Sequence, residues 1–265
     1  MQEPTQSDVL VPFERQNVPE PYKAYSINKR HNLFATIQNL PLIWNGFMHI
    51  DAILHREFDD MQRTRESGIM FPTILFTNAH QKMRIALELG CSTCLPEAHS
   101  MVRDAIESAA HAHRLASDPK LLKKWLEKND SEAATRIFKQ EFEYEKPTRL
   151  FKGLPDLHKM WKQYSELGSH TNINSIVTRF RVSQTATDLE FGYEYLGADP
   201  IILVPALLEM LLVFSVIEKM VFELAEGRLR LDPELIKMRA AFATEKELTR
   251  HWVIKTYHLQ PPTVP

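Results

Sequence analysis

The segment of residues 95–116 constrains the fold of this chain more than any other, because it reads as a helix with two unlike faces. At about 100° per residue, one stripe gathers small and apolar side chains, namely Ala98, Met101, Val102, Ala105, Ala109, Ala112 and Ala116. The opposite stripe gathers charged and ionisable side chains, namely Arg103, Glu107, His111 and Arg114. The segment therefore predicts a helix that packs closely on one side and carries a candidate site on the other.

Helix starts recur along the chain and predict a mainly α class. Asp118-Pro119, Asp199-Pro200 and Asp232-Pro233 each place a capping carboxylate before a proline, whose missing N–H is no loss at the first helical position. The chain contains only 8 glycines, and helical periods fill the segments between these caps. We predict a bundle-like domain with long helices near 38–62, 69–89, 95–116 and 200–226 and shorter ones near 119–128, 131–142 and 155–167.

Two regions depart from this helical pattern. Apolar and polar residues alternate between 175 and 196, which predicts a small β-hairpin inserted among the helices. Residues 1–30 contain four prolines and no helical period, so we expect an extended or poorly ordered arm there. No repeat or long linker divides the remainder, and residues 31–265 are predicted to form a single α-helical domain.

Composition narrows the classes of protein. The net charge of −2 lacks the basic excess of a protein that grips nucleic acid over a wide surface. The absence of a signal pattern and the presence of only 2 cysteines favour a reducing, cytoplasmic setting. The apolar run 201–217 is barely long enough for a bilayer, which usually needs about 20 residues, and Glu209 interrupts it. We therefore expect a core helix and no membrane contact.

The charged stripe is the first candidate for chemistry. Steps of four, four and three residues stack Arg103, Glu107, His111 and Arg114, so that a carboxylate could orient an imidazole or an arginine could hold an anion. An exposed helix face with ordinary ion pairs explains the same pattern. Glu209 is the second candidate, because its apolar neighbours require it to be paired, protonated or at an interface. Arg103 or a histidine of the same helix is its expected partner, in either a structural or a functional pair.

Two further motifs admit a functional and a structural interpretation. Ser165, His170 and Asn172 lie around a glycine-containing helix end, where binding residues gather but where capping and turn residues are also common. Cys91 and Cys94 form a CxxC near a helix start, where the helix dipole lowers a thiol pKa. No second metal-ligand pair accompanies them, and buried small residues at a helix junction are the simpler account. The chain lacks GxGxxG, Walker, HExxH and GxSxG motifs, so the sequence predicts neither a cofactor nor a metal site.

From Leu89-Gly90-Cys91 to Asp118-Pro119, the order is a small-residue turn, an Arg-Glu helix, a histidine-rich helix end and an Asp-Pro pair. This order, with the later turn at Ser165 and His170, resembles bacterial all-helical families related to the HEPN group over about residues 35–225. HEPN ribonucleases use an arginine and a histidine of one helix, usually across a dimer interface. The resemblance implies that Arg103 binds a phosphate and that His111 or His170 moves a proton. Seven residues separate Arg103 from His111 here, which is more than in that group.

Three functional hypotheses follow. The leading one is a cytoplasmic, self-associating module, such as a homodimer, that binds a protein or a small polar ligand without established catalysis. Its pocket would lie near Arg103, Glu107, His170 and Glu209, with Ser165 and Asn172 close by. The alternative is a HEPN-like RNA-processing or toxin-type ribonuclease that uses Arg103, His111 and His170. A metal-dependent hydrolase in a helical bundle is the third.

Overall fold

A computed structural model describes residues 17–62, 67–168, 180–184, 188–193, 196–197, 199–226 and 232–257. Its helices are α1 Glu20–Asn39, α2 Pro41–Gln62, α3 Ser67–Cys91, α4 Leu95–Ser117, α5 Leu121–Leu126, α6 Glu132–Phe142, α7 Pro155–Leu167, α8 Pro200–Ala225 and α9 Pro233–Thr256. Two strands, β1 Phe180–Gln184 and β2 Leu189–Tyr193, stand between α7 and α8. The prediction of a mainly α protein is confirmed.

The first described helix corrects one prediction. Residues 20–30 were expected to belong to an extended arm, but they form the first half of α1. Pro19 is the N-cap of this helix and Pro21 lies in its first turn, where a proline lacks no needed hydrogen bond. Most of α1 is exposed and Thr36 is its one buried residue, which explains why the sequence shows no helical period there. Residues 1–16 lie outside the described part of the chain.

The aspartate caps form as the sequence predicts at two of the three sites. Asp199 Oδ1 accepts from the backbone N–H of Ile201 at 2.9 Å, and Asp232 Oδ1 accepts from that of Glu234 at 2.9 Å. Asp118 instead ends α4, and its Oδ1 accepts from the backbone N–H of Lys120 before α5 begins. The first two caps fix where α8 and α9 start.

Helix α8 lies at the centre of the bundle and packs against α2, α3, α4, α7 and α9. It is the one helix among the described residues that is long and apolar enough to cross a membrane, and 56% of its most apolar 18-residue window is buried. A core helix passes the same test, so this is weak evidence for a membrane span. The buried core that it joins runs from Leu40 to Val253.

The alanine stripe of α4 packs against α3, which makes the most extensive helix pair of the described structure. Ala98, Ala105, Ala109 and Ala112 are all fully buried. Small side chains at this spacing permit a close approach of two helices, as the sequence predicts. The pairing leaves the opposite stripe of α4 facing α5, α6 and α7.

The two strands pair antiparallel, with Phe180 opposite Tyr193 and Gln184 opposite Leu189. Residues 169–179 and 185–187, which flank β1, lie outside the described part of the chain. The full extent of the hairpin predicted over 175–196 therefore stays a prediction.

Gly168, at the end of α7, lies so close to Ser100 on α4 that a side chain at this position should destabilise the fold. A Cβ there would lie 2.8 Å from the backbone nitrogen of Ser100, whose hydroxyl donates to Gly168 O at 2.8 Å. Because backbone must move to accommodate the methyl group, Gly168→Ala should lower the free energy of unfolding by about 1–3 kcal/mol. Urea unfolding measures this value.

Gly68, near the start of α3, provides the matched control. Nothing lies within 4 Å of a Cβ at Gly68, and the site is helical. Gly68→Ala should therefore raise the free energy of unfolding by about 0.4–1 kcal/mol. Equal effects of the two substitutions would contradict the close approach of α7 to α4.

Candidate functional site

The N-terminal half of the α4 stripe forms a polar cluster with α7. Arg103 Nε lies 3.4 Å from Glu107 Oε1, and Arg103 Nη2 lies 3.5 Å from Asp104 Oδ1. Trp161 Nε1, on α7, donates to Glu107 Oε1 at 2.9 Å. Burial raises the pKa of Glu107, while the hydrogen bond from Trp161 and the charge of Arg103 act in the opposite direction. The carboxylate thus joins an arginine to an indole rather than to a histidine.

His111 lies two turns from Arg103 and is enclosed by an aromatic cluster of Trp125, Phe138, Phe142 and Tyr144. The His111 ring stacks on Phe138 at a centroid distance of 6.0 Å and lies 5.1 Å from Phe142. Burial, with a smaller contribution from the charge of Lys128, lowers the pKa of His111 to about 4. The imidazole is therefore neutral at pH 7, and its Nδ1 has no hydrogen-bond partner among the described residues.

The C-terminal end of the stripe is also buried. Arg114 Nη2 lies 4.0 Å from Glu141 Oε2 on α6, and Lys124 Nζ donates to Glu141 Oε1 at 2.6 Å. Helix α6 begins at the Ser131 cap, whose hydroxyl accepts from the backbone N–H of Ala134. Its apolar face then covers His111. The stripe is consequently half-exposed at Arg103 and buried from His111 onward.

A cavity of about 630 Å³ opens beside this stripe. It lies between α6, the segment 143–149 and the Trp161 side of α7, and Lys128 and Asn129 complete its rim. Its aromatic lining consists of Phe138, Phe142, Tyr144 and Trp161. Its charged lining consists of Lys128, Arg136, Lys139, Arg149, Glu143 and Glu145. The cavity therefore combines a flat apolar wall with an excess of cations.

Glu209 does not join this cluster, which corrects the predicted partnership with Arg103. The residue is exposed on α8, and its Oε2 accepts from Gln163 Nε2 at 3.0 Å. Trp161 and Gln163 are two residues apart on α7, so they project about 200° from each other around the helix. Helix α7 therefore separates Glu209 from Glu107. The carboxylate reaches the surface and has a polar partner in Gln163, so it needs no ionic partner, although partial burial still raises its pKa.

Three predicted site residues remain, and only Ser165 among them lies in the described part of the chain. Ser165 Oγ donates to Trp161 O at 2.8 Å, a bond within α7. His170 and Asn172 lie outside the described residues. The described structure thus brings Arg103 and Glu107 together, with Ser165 one turn from Trp161, and places His111 and Glu209 apart from them.

Cys91 and Cys94 are both buried at the junction of α3 and α4. Burial raises the pKa of the Cys91 thiol to about 12, which is opposite to the effect expected from a helix start. Cys91 is the last residue of α3, and burial determines the direction of the shift. The pair is packed as small residues of a helix junction.

Sequence reasoning missed the residues that line the cavity. A signal for them exists in α6, where Phe138 and Phe142 are four residues apart and Arg136 and Lys139 lie beside them. The pattern indicates an aromatic face with a basic border. The pattern does not show the opposite wall of the cavity, because Tyr144 and Trp161 come from segments later in the chain.

Comparisons with protein-family models, with curated proteins and with solved structures find no match to this chain. The HEPN-like relationship therefore stays a prediction from the residues alone.

Proposed function

We propose that this chain is a helical binding module that holds a small organic anion with a flat apolar body in the 630 Å³ cavity. The observation that carries the proposal is the combination, in one concave site, of a stacked aromatic wall and cations without acidic partners. Concave sites with an apolar lining and a few polar groups are the usual form of small-ligand sites. The cavity belongs to the part of the chain where α4, α6 and α7 meet.

The aromatic wall is held in a fixed geometry. Tyr144 and Trp161 stack with ring centroids 5.8 Å apart and an interplanar angle of 14°. The hydrogen bond from Trp161 to Glu107 fixes the indole, and Arg103 in turn neutralises Glu107. A prepositioned aromatic face favours a flat ligand, because little conformational entropy is lost on binding. In this proposal Arg103 and Glu107 position the wall and do not carry out a reaction.

The charge at the rim determines the class of ligand. Arg149 Nη1 lies 2.8 Å from Glu143 Oε2 and donates to Lys139 O, so these two side chains largely neutralise each other. Arg136 and Lys139 form no ion pair with any residue that the structure describes. Charge-assisted hydrogen bonds from such cations favour a carboxylate, sulfonate or phosphate group.

The burial of His111 favours this proposal over the ribonuclease alternative. A nuclease of the HEPN type would need His111, or His170 outside the described residues, to exchange a proton with RNA near neutral pH. His111 is 8% exposed and its pKa is lowered, so it neither reaches solvent freely nor carries a proton at pH 7, and the role would fall to His170 alone. Self-association and a cytoplasmic location remain parts of the hypothesis, and native mass measurement tests the first of them.

Fluorescence titration with anilinonaphthalene sulfonate tests the proposal, since this probe joins a flat apolar body to one anionic group. The double substitution of Arg136→Gln and Lys139→Gln should weaken its binding by about 10-fold, because two charge-assisted contacts are lost. N-phenylnaphthylamine, which lacks the sulfonate, should bind the double variant and the original chain equally. Tyr144→Leu should weaken both probes.

Lys219→Gln with Lys237→Gln is the matched control. Both lysines are exposed, on α8 and α9, and each pairs only with a glutamate of its own helix. This control should leave both probes unaffected. Equal binding of the sulfonate by the original chain and the Arg136→Gln, Lys139→Gln variant would refute an anion site in the cavity.

A further inference from the structure

A second site, formed by residues that do not line the cavity, lies between α2 and α3. We infer that Asp51, His55 and His80 bind a divalent transition-metal ion of the Zn²⁺ class. Their ligand atoms all lie within 4.8 Å of one another. Two imidazoles and one carboxylate are a ligand set that zinc and its neighbours accept, with a remaining position left for water or another ligand.

The two helices bring the three side chains together in a simple way. Asp51 and His55 are four residues apart on α2, so they share one face, and His80 projects from α3 onto that face. His80 Nε2 lies 2.7 Å from Asp51 Oδ1, and His55 Nε2 lies 3.7 Å from Asp51 Oδ2. Ligands of a tetrahedral zinc ion are roughly 3.3 Å apart, given metal–ligand bonds of about 2.0–2.1 Å. The two separations between an imidazole and Asp51, which involve different carboxylate oxygens, lie on either side of that value. The separation between the two imidazoles is no more than 4.8 Å, so side-chain rotations bring all three groups to that distance.

The surroundings suit a bound ion. The side chain of His80 is 7% exposed and that of Asp51 is 21% exposed, whereas that of His55 is 54% exposed. An ion can therefore enter from the His55 side. Phe58 packs against the His80 ring at a centroid distance of 5.7 Å and limits its motion.

Arg84 is the competitor of the metal ion in this arrangement. Its Nε lies 2.8 Å from Asp51 Oδ1 and its Nη2 donates to Asp51 Oδ2 at 3.2 Å. The Arg84 side chain is 57% exposed, and a cavity of about 270 Å³ borders both Arg84 and Asp51. The guanidinium therefore has room to withdraw. A purely structural cluster needs Arg84, while a metal site binds more tightly without it.

Isothermal titration of the untagged, chelator-treated chain with zinc chloride near neutral pH tests this inference. We expect one ion per chain, and a loss of affinity of at least 10-fold in His55→Gln and in Asp51→Asn. Arg84→Gln should instead tighten binding, by about 10-fold, because the carboxylate is released. Cobalt(II) titration should give the visible absorption of a four-coordinate site in the original chain and not in His55→Gln.

His251→Gln is the matched control, because His251 is exposed on α9 and its ring Nδ1 contacts only the backbone oxygen of Glu247. This variant should bind zinc as the original chain does. His55 is the preferred test position because its exposed ring can be replaced without disturbing the core. Absence of zinc binding, or equal affinity in the original chain and His55→Gln, would overturn the inference.

Discussion

Arg239→Met should lower the free energy of unfolding by about 3–5 kcal/mol, the range for breaking a buried ion pair. Arg239 Nε donates to Glu218 Oε1 at 2.5 Å and its Nη2 to Oε2 at 3.4 Å. Glu218 is 4% exposed, and Glu57 beside it is fully buried. Removing Arg239, the cation that pairs with Glu218, leaves two carboxyl groups next to each other in the core. The Arg239 guanidinium carbon also lies 3.4 Å from the centroid of the Phe222 ring, and methionine replaces this cation–π contact with a contact between sulfur and the aromatic ring.

Urea unfolding at pH 7 measures this loss, and Lys237→Met serves as the control on the same helix. The Lys237 side chain is 76% exposed and pairs only with Glu234, so its replacement should change stability by less than about 0.5 kcal/mol. Adding Glu218→Gln to Arg239→Met should recover part of the loss, because one buried charge is then removed. Equal stabilities of Arg239→Met and Lys237→Met would show that the pair contributes nothing net.

The local part of this fold could be predicted because each feature depends on neighbours within one helix. The alanine stripe of α4 depends on side chains three or four residues apart. The caps at Asp199 and Asp232 each depend on a backbone N–H two residues further on. The prediction for the proline-rich start of α1 was wrong. A proline that begins a helix cannot be distinguished in the sequence from one that prevents a helix, unless the helix that packs against it is known. Contact with α3, together with the hydrogen bond from Asn32 to Thr93 in the turn that follows α3, supplies what the sequence of α1 does not show.

The candidate sites depend on which helices meet, and this the sequence does not show. The pairing of Arg103 with Glu107 was visible as a four-residue step, but Trp161 reaches Glu107 from 54 residues away. Asp51 and His55 show the same step on α2, while His80 comes from another helix. Pairs of polar residues four positions apart occur along the whole chain. Only the packing of the helices determines which pairs meet a third side chain and so form a candidate site.

Above about pH 4.5, the ordinary pKa of a glutamate, Glu57→Gln should raise the free energy of unfolding. This gain in stability should grow with pH. The Glu57 carboxyl group lies against the Glu218 carboxylate, to which only its protonated form can donate a hydrogen bond. Burial first, and the nearby Glu218 second, raises the pKa of Glu57 to about 10. The folded chain therefore keeps a proton that the unfolded chain releases above about pH 4.5. The stability that Glu57 contributes is fully present below that pH and falls by about 1.4 kcal/mol per pH unit until the raised pKa is reached.

Glutamine keeps the shape of the protonated carboxyl group and can donate to Glu218, but it does not titrate. The difference in unfolding free energy between Glu57→Gln and the original chain should consequently rise steadily from about pH 5 to pH 9. Glu223→Gln is the control, since Glu223 is 55% exposed on α8 and pairs with Lys219. Its difference from the original chain should change little over the same range, apart from a contribution below about pH 6.5 from the effect of the Glu223 charge on His113. A constant difference for Glu57→Gln as well would mean that Glu57 is ionised in the folded core, and that Arg239 neutralises both carboxylates.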